Sequence, residues 1–183
     1  MASAFTHAFF AAAMGEVYAS ESKPARFWLL SMLCAVLPDA DVIGFAFGVH
    51  YDSMLGHRGI THSLAFALLL ACAVVFLFFR DAPNRKVLAV YFFLVTASHG
   101  LLDALTNGGL GVAFFAPFSG ARYFFPFRPV EVSPIGLSSF FSEWGLAVIE
   151  SELLWVWLPA SLVVAFVLIF RRLRDKDGRR VER

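Results

Sequence analysis

Apolar residues run along this chain in long blocks, and a small set of histidines and aspartates interrupts them. Five blocks stand out, at about residues 4–19, 27–47, 60–79, 87–105 and 144–170. Runs of about 20 apolar residues match the hydrocarbon thickness of a bilayer. They show no period-two alternation, so they predict helices, not barrel strands. The first block is short, and the third carries no charge. The second contains Pro38, Asp39 and Asp41, the fourth His99 and Asp103, and the fifth Glu150 and Glu152 in its first third. Residues 107–143 break the pattern with Pro117, Pro126, Pro129 and Pro134 among glycines, serines and many phenylalanines. That stretch cannot be one helix and reads as an irregular loop at the membrane interface.

The pattern predicts an all-α protein, a polytopic transmembrane helical bundle of about five membrane segments with an aromatic, proline-rich extracytoplasmic loop. A single membrane-embedded domain is expected over residues 1–170, followed by a basic, frayed cytoplasmic tail over residues 171–183.

Composition supports a bilayer as the sink for this apolar surface. Hydrophobic residues make up 59% of the 183 and charged residues 16%. Ordinary soluble domains run at roughly 45–50% and about 25%, and small domains keep a large exposed fraction. Cys34 and Cys72 lie within apolar runs and read as packing residues. Residues 1–10 lack a basic n-region and a clear small-residue cleavage site, so they read as mature protein.

Net charge is only +1, but the basic residues are unevenly placed. Arg171, Arg172, Arg174, Lys176, Arg179, Arg180 and Arg183 follow the last block, Arg80, Arg85 and Lys86 lie between the third and fourth, and Lys23 and Arg26 between the first and second. The opposite connections hold Arg58, Arg122 and Arg128. The excess of Lys and Arg marks the cytoplasmic side. The expectation is a multi-pass inner-membrane protein with its C-terminus in the cytoplasm. The basic tail reads as a topology signal and not as a nucleic-acid site.

Ionisable residues inside membrane segments are costly and mark functional sites by default. Here they fall in clusters: His7, Pro38-Asp39-Ala40-Asp41, His57-Arg58-Gly59-Ile60-Thr61-His62-Ser63, and His99-Gly100-Leu101-Leu102-Asp103. At the helical rise, each lies about 20–26 Å from its own basic flank. Four segments therefore bring His and Asp to one level, near the extracytoplasmic face. Imidazole and carboxylate are ligands for zinc and related divalent ions. His99 and Asp103, at i and i+4, share a helix face. Pro38 predicts a broken backbone that lets both Asp39 and Asp41 approach. The expected metal ligands are His7, Asp39, His57, His62, His99 and Asp103, enough for one or two ions, with zinc the first choice. Asp39 and Asp41 have a competing role as ion-pair partners of Arg58. Glu150 and Glu152 can sit at the interface instead of joining the site, and the loop residue His50 is read as having no part in it.

These clusters, with Thr106-Asn107-Gly108 after the last, resemble the YdjM-like family of bacterial and archaeal inner-membrane proteins. The resemblance covers most of the chain up to about Phe127, and the HRGxTHS and HxxLD patterns carry it. It implies a membrane-bound, metal-dependent hydrolase of phospholipase type. The helical setting of His and Asp is also similar, by analogy alone, to zinc-dependent phospholipase C.

The expected chemistry is hydrolysis of a lipid or lipid-linked (phospho)ester by metal-activated water. Asp39 or Asp41 would bridge metals or act as general base. Arg58 would bind a phosphate oxygen, and Arg122 and Arg128 would hold a head group. Two rivals remain: a metal-ion or proton-handling transporter, and a membrane scaffold with a structural metal. The halves of the third and fourth blocks facing the basic flank are almost free of ionisable groups, which argues for a one-sided site.

Overall fold

A computed structural model describes residues 1–20 and 22–181. Seven α-helices follow one another: α1 (Ala4–Tyr18), α2 (Ala25–Val36), α3 (Leu64–Phe78), α4 (Arg85–Ala104), the single turn α5 (Leu137–Phe140), α6 (Glu143–Glu152) and α7 (Leu158–Val181). Among the described residues there is no strand, only two isolated bridges, Thr106 with Val130 and Val112 with Tyr123. The long connection is thus irregular except for α5.

Among the described residues, three stretches are long and apolar enough to cross a membrane: Ala25–Phe47, Arg85–Ala104 and Glu143–Arg174. The expected five spans reduce to these three plus two helices of 15 residues, α1 and α3. Each of the two rises only about 22 Å, short of the roughly 30 Å hydrocarbon core. α1 starts at the expected residue, whereas α3 starts four residues later than expected, and a serine cap defines each start. Ser3 accepts a hydrogen bond from Thr6 N and caps α1. Ser63 does the same from Phe66 N for α3, so residues 60–62 form a separate 3-10 turn and not the first turn of a span. Pro38 acts as its chemistry dictates: the α-helix ends at Val36, and Leu37–Phe47 continues as a tighter 3-10 helix.

The fifth block is one rod in three parts. α6 passes into a π-helical turn over Leu153–Trp157 and then into α7. Pro159 has no N–H for the carbonyl one turn before it, and the wide turn lies just ahead of it. α7 continues to Val181, so the basic stretch from Arg171 is helical and not frayed, as far as it is described; Glu182 and Arg183 lie outside the described residues.

α4 is the central helix: 61% of its apolar window is buried, against 28% and 11% for the other two long stretches. Its inward face reads Leu88, Tyr91, Phe92, Val95, Thr96, His99 and Asp103, a helical i, i+3, i+4 stripe. The half nearer its start packs with Ala11, Phe27, Cys34, Ala71, Val75 and Phe79 into an apolar core. The half nearer its end carries His99 and Asp103. Side chains such as Leu69, Phe76, Leu162 and Phe166 cover the outside, as a lipid-facing surface requires.

α1 enters at the His99–Asp103 end and leaves at the other. There the Arg171 guanidinium donates to the carbonyls of Glu16, Val17 and Ala19, satisfying the last carbonyls of α1. One end of the bundle thus gathers the basic flanks, and the opposite end gathers the histidines and aspartates.

Candidate metal centre

Four separate pieces of backbone supply the centre. α1 contributes His7, the 3-10 helix after α2 contributes Asp39 and Asp41, the connection to α3 contributes His57, Arg58 and His62, and α4 contributes His99 and Asp103. His7, His57, Arg58, His62, His99 and Asp103 are at most 4% exposed, and Asp39 is 8% exposed.

The imidazoles are aimed by their Nδ1 atoms. His99 Nδ1 lies 2.6 Å from the carbonyl oxygen of Ala35 and donates to it. His57 Nδ1 lies 2.8 Å from Asp41 Oδ1. His62 Nδ1 lies 3.0 Å from Thr61 Oγ1 and 3.3 Å from Asp41 Oδ2. With the proton on Nδ1 in each ring, the three Nε2 atoms present lone pairs. The hydrogen-bond network gives this tautomer assignment.

These lone pairs converge with carboxylate oxygens. His62 Nε2 is 3.0 Å from His99 Nε2, 3.6 Å from Asp39 Oδ1 and 3.5 Å from Asp103 Oδ2, and His99 Nε2 is 3.3 Å from Asp39 Oδ1. His7 Nε2 lies 3.4 Å from Asp103 Oδ1, its ring stacked on His99 with centroids 3.8 Å apart. A tetrahedral ion with bonds of about 2.0–2.1 Å holds its ligands about 3.3–3.4 Å apart, so these separations fit one. Two donor groups emerge, Asp39–His57–His62–Asp103 and His7–His99–Asp103, and Asp103 belongs to both.

Polar satisfaction points the same way. Buried polar atoms need partners, yet His7 Nδ1 and Nε2, His57 Nε2, both oxygens of Asp39 and Asp103 Oδ2 have no hydrogen-bond partner. A doubly protonated His62 would answer one acceptor and leave His57 Nε2 and both His7 nitrogens orphaned. Charge gives the same answer. With neutral imidazoles, Asp39, Asp41, Asp103 and Glu152 outweigh Arg58 and the Met1 amino group by two negative charges in a nearly water-free site. Uncompensated buried charge is costly, and one divalent cation cancels it. The residues present therefore fit a metal ion.

Asp41 does not face the centre. Two residues along a 3-10 helix are about two-thirds of a turn apart, so Asp39 points inward and Asp41 stands behind the histidines. Its oxygens hold His57, His62, Thr61 Oγ1 at 2.8 Å and the Arg58 N–H at 3.3 Å. Carboxylates so placed fix the orientation of ligating imidazoles.

Two of the arginines expected to meet substrate are engaged inside the protein. Arg58 Nε is 3.1 Å from Asp103 Oδ2, poorly aligned, so an ion pair more than a hydrogen bond. Its Nη atoms donate to the Gly108 and Leu110 carbonyls and to Thr106 Oγ1. Arg58 also has φ of 62°, an uncommon conformation for a non-glycine residue. Arg122 donates to the carbonyls of His57, Gly111, Tyr51 and Ser53. Both arginines tie the long connection to the site. Arg128 is exposed and stacks on Phe124, 4.7 Å from its centroid.

Glu152, not Glu150, is built in. It is buried and accepts from Ser3 N, Ser3 Oγ and Thr6 Oγ1 at 2.5, 2.6 and 2.8 Å. This latch fixes the start of α1, where Ala2 N donates to Asp103 Oδ1 at 2.7 Å and His7 approaches the centre. Sequence spacing carried no signal for this pairing, because the partners lie about 150 positions apart.

A helical membrane protein with a buried histidine–aspartate centre at one end is the class that fold and site define. The chain belongs to the YdjM inner membrane protein family, whose sequence pattern matches residues 1–174. It is similar to the inner membrane protein YbcI of Escherichia coli (strain K12), at 39% identity over 174 residues, covering 94% of this chain and 100% of that protein. No solved structure matches it.

Proposed function

We propose that this protein is a membrane-bound, metal-dependent hydrolase that cleaves a (phospho)ester of a lipid or lipid-linked substrate. One observation carries the reading: two donor groups share Asp103, with more ligands than one closed tetrahedral ion requires. Asp39, His57, His62, His99, Asp103 and His7 would hold one or two divalent ions, zinc first. Such an ion supplies Lewis acidity and lowers the pKa of water near it.

The chain's own residues do the rest. Asp41 keeps His57 and His62 in the tautomer with Nε2 inward. An Asp39 oxygen, having no donor, can take the proton as water adds to the ester and return it to the departing oxygen. Arg58 offsets the charge of Asp103 and anchors the long connection. A cleft of about 400 Å³ beside the centre is lined by His50, Tyr51, Asp52, Gly109 and Leu110. The Tyr51 ring separates it from His57, with centroids 5.2 Å apart. Arg128 is the arginine left to meet a head group. By the distribution of Lys and Arg, the centre lies on the extracytoplasmic side.

Burial of the donors favours a second reading, a structural metal, because structural sites are closed. Transport is disfavoured by the apolar core of Phe27, Val75, Phe79 and Phe92, which closes the bundle between the centre and the basic end. Lipid mass spectrometry after incubation of native lipids decides. Released head group with wild type, absent with His62→Ala, supports the hydrolase. Metal-dependent folding without turnover supports the scaffold.

A further inference from the structure

Two cavities outside the metal centre meet at one residue. A pocket of about 240 Å³ at the basic end is lined by Tyr18, Lys23, Arg26, Phe79, Asn84 and Leu88, among others. A groove of about 440 Å³ runs between α1, α4 and α7, with Met14, Val17, Tyr18, Val90, Leu94 and Val163 in its wall. Tyr18 lines both. We propose that pocket and groove together form a binding site for one anionic phospholipid, its phosphate in the pocket and an acyl chain along the groove.

Charge argues for an anion. Lys23 and Arg26 are held against aromatic faces, Lys23 Nζ 5.7 Å from the Tyr18 centroid and Arg26 5.1 Å from that of Phe79. Among the described residues neither makes a side-chain hydrogen bond or ion pair. α4 starts at the same pocket. Asn84 provides no side-chain cap, and the first turn carries Arg85 and Lys86 with no acidic residue, the reverse of what a helix dipole favours. An anion there would satisfy the uncapped N–H groups and the excess positive charge together.

The groove argues for a lipid and against free phosphate. Apart from Tyr18 and Tyr91 its lining is apolar, and the Tyr91 hydroxyl is already bonded to Ser31. From Tyr18 to Phe10 the wall rises about 12 Å along α1, close to the roughly 15 Å depth of one leaflet. Basic pockets between membrane helices at an apolar groove are suited to anionic head groups. The phosphate pocket lies at the start of α2 and α4, whereas the metal centre is built past the end of α2 and from the last turns of α4, so the lipid held here is not the substrate at the ions.

Native mass spectrometry of the full chain, purified in mild detergent and mixed with equal phosphatidylglycerol and phosphatidylcholine, tests this. The expected result is one phosphatidylglycerol retained in preference to phosphatidylcholine. Lys23→Gln/Arg26→Gln should lower that retention roughly thirtyfold. Val90→Trp, on the exposed rim of the groove, should lower it without touching a charge, and serves if the double variant does not fold. Arg80→Gln, a basic residue at the same end outside the pocket, should leave it unchanged. Equal retention of the two lipids, an equal loss in Arg80→Gln, or displacement of the lipid by glycerol phosphate alone would overturn the proposal.

Discussion

Asp41 and Asp39 are two residues apart and do different work. Asp39 offers bare oxygens to the centre, whereas Asp41 holds two imidazoles from behind. Asp41→Asn keeps the shape but replaces one acceptor oxygen with a donor, so it cannot accept from both His57 and His62. Metal affinity should fall about 10–100-fold, measured by chelator competition, with helix content unchanged by circular dichroism. An unaltered affinity would remove Asp41 from its orienting role. The sequence showed both aspartates near the site. It could not show which one turned inward, because that depends on the 3-10 phase Pro38 sets.

At the scale of elements, the latch between Glu152 and the start of α1 ties α6 to α1 beside the centre. Glu152→Ala leaves Ser3 N, Ser3 Oγ and Thr6 Oγ1 without their acceptor, and should cost about 3 kcal/mol, read as a lowered thermal midpoint in detergent. Glu150→Ala, at an exposed position, should have little effect. Convergence of His7, Asp39, His62, His99 and Asp103 was legible because helix rise alone fixes depth in a bilayer. Span number was less legible. The apolar run at residues 60–79 conceals a cap at Ser63, and capping is a local hydrogen bond that a hydropathy pattern does not register. The engagement of Arg58 and Arg122 was also hidden, since most of their acceptors are backbone carbonyls of irregular connections with no sequence signature.

At the scale of the whole molecule, the bundle has two unlike ends, one basic and one built around carboxylates and imidazoles, with an apolar aromatic core between them. The inferred orientation is checked with a membrane-impermeant maleimide in a Cys72→Ala background. Phe118→Cys, 90% exposed on the long connection, should label in intact cells, and Arg172→Cys only after permeabilisation. The reverse pattern would invert the topology and place the centre on the cytoplasmic side. The central claim, that the histidine–aspartate centre holds metal, is tested most directly by elemental analysis of the purified protein. The account expects at least one divalent ion per folded chain in the wild type and its loss in His62→Ala and in Asp103→Ala. A folded wild type with no stoichiometric divalent metal, or variants that keep the full content, would contradict it.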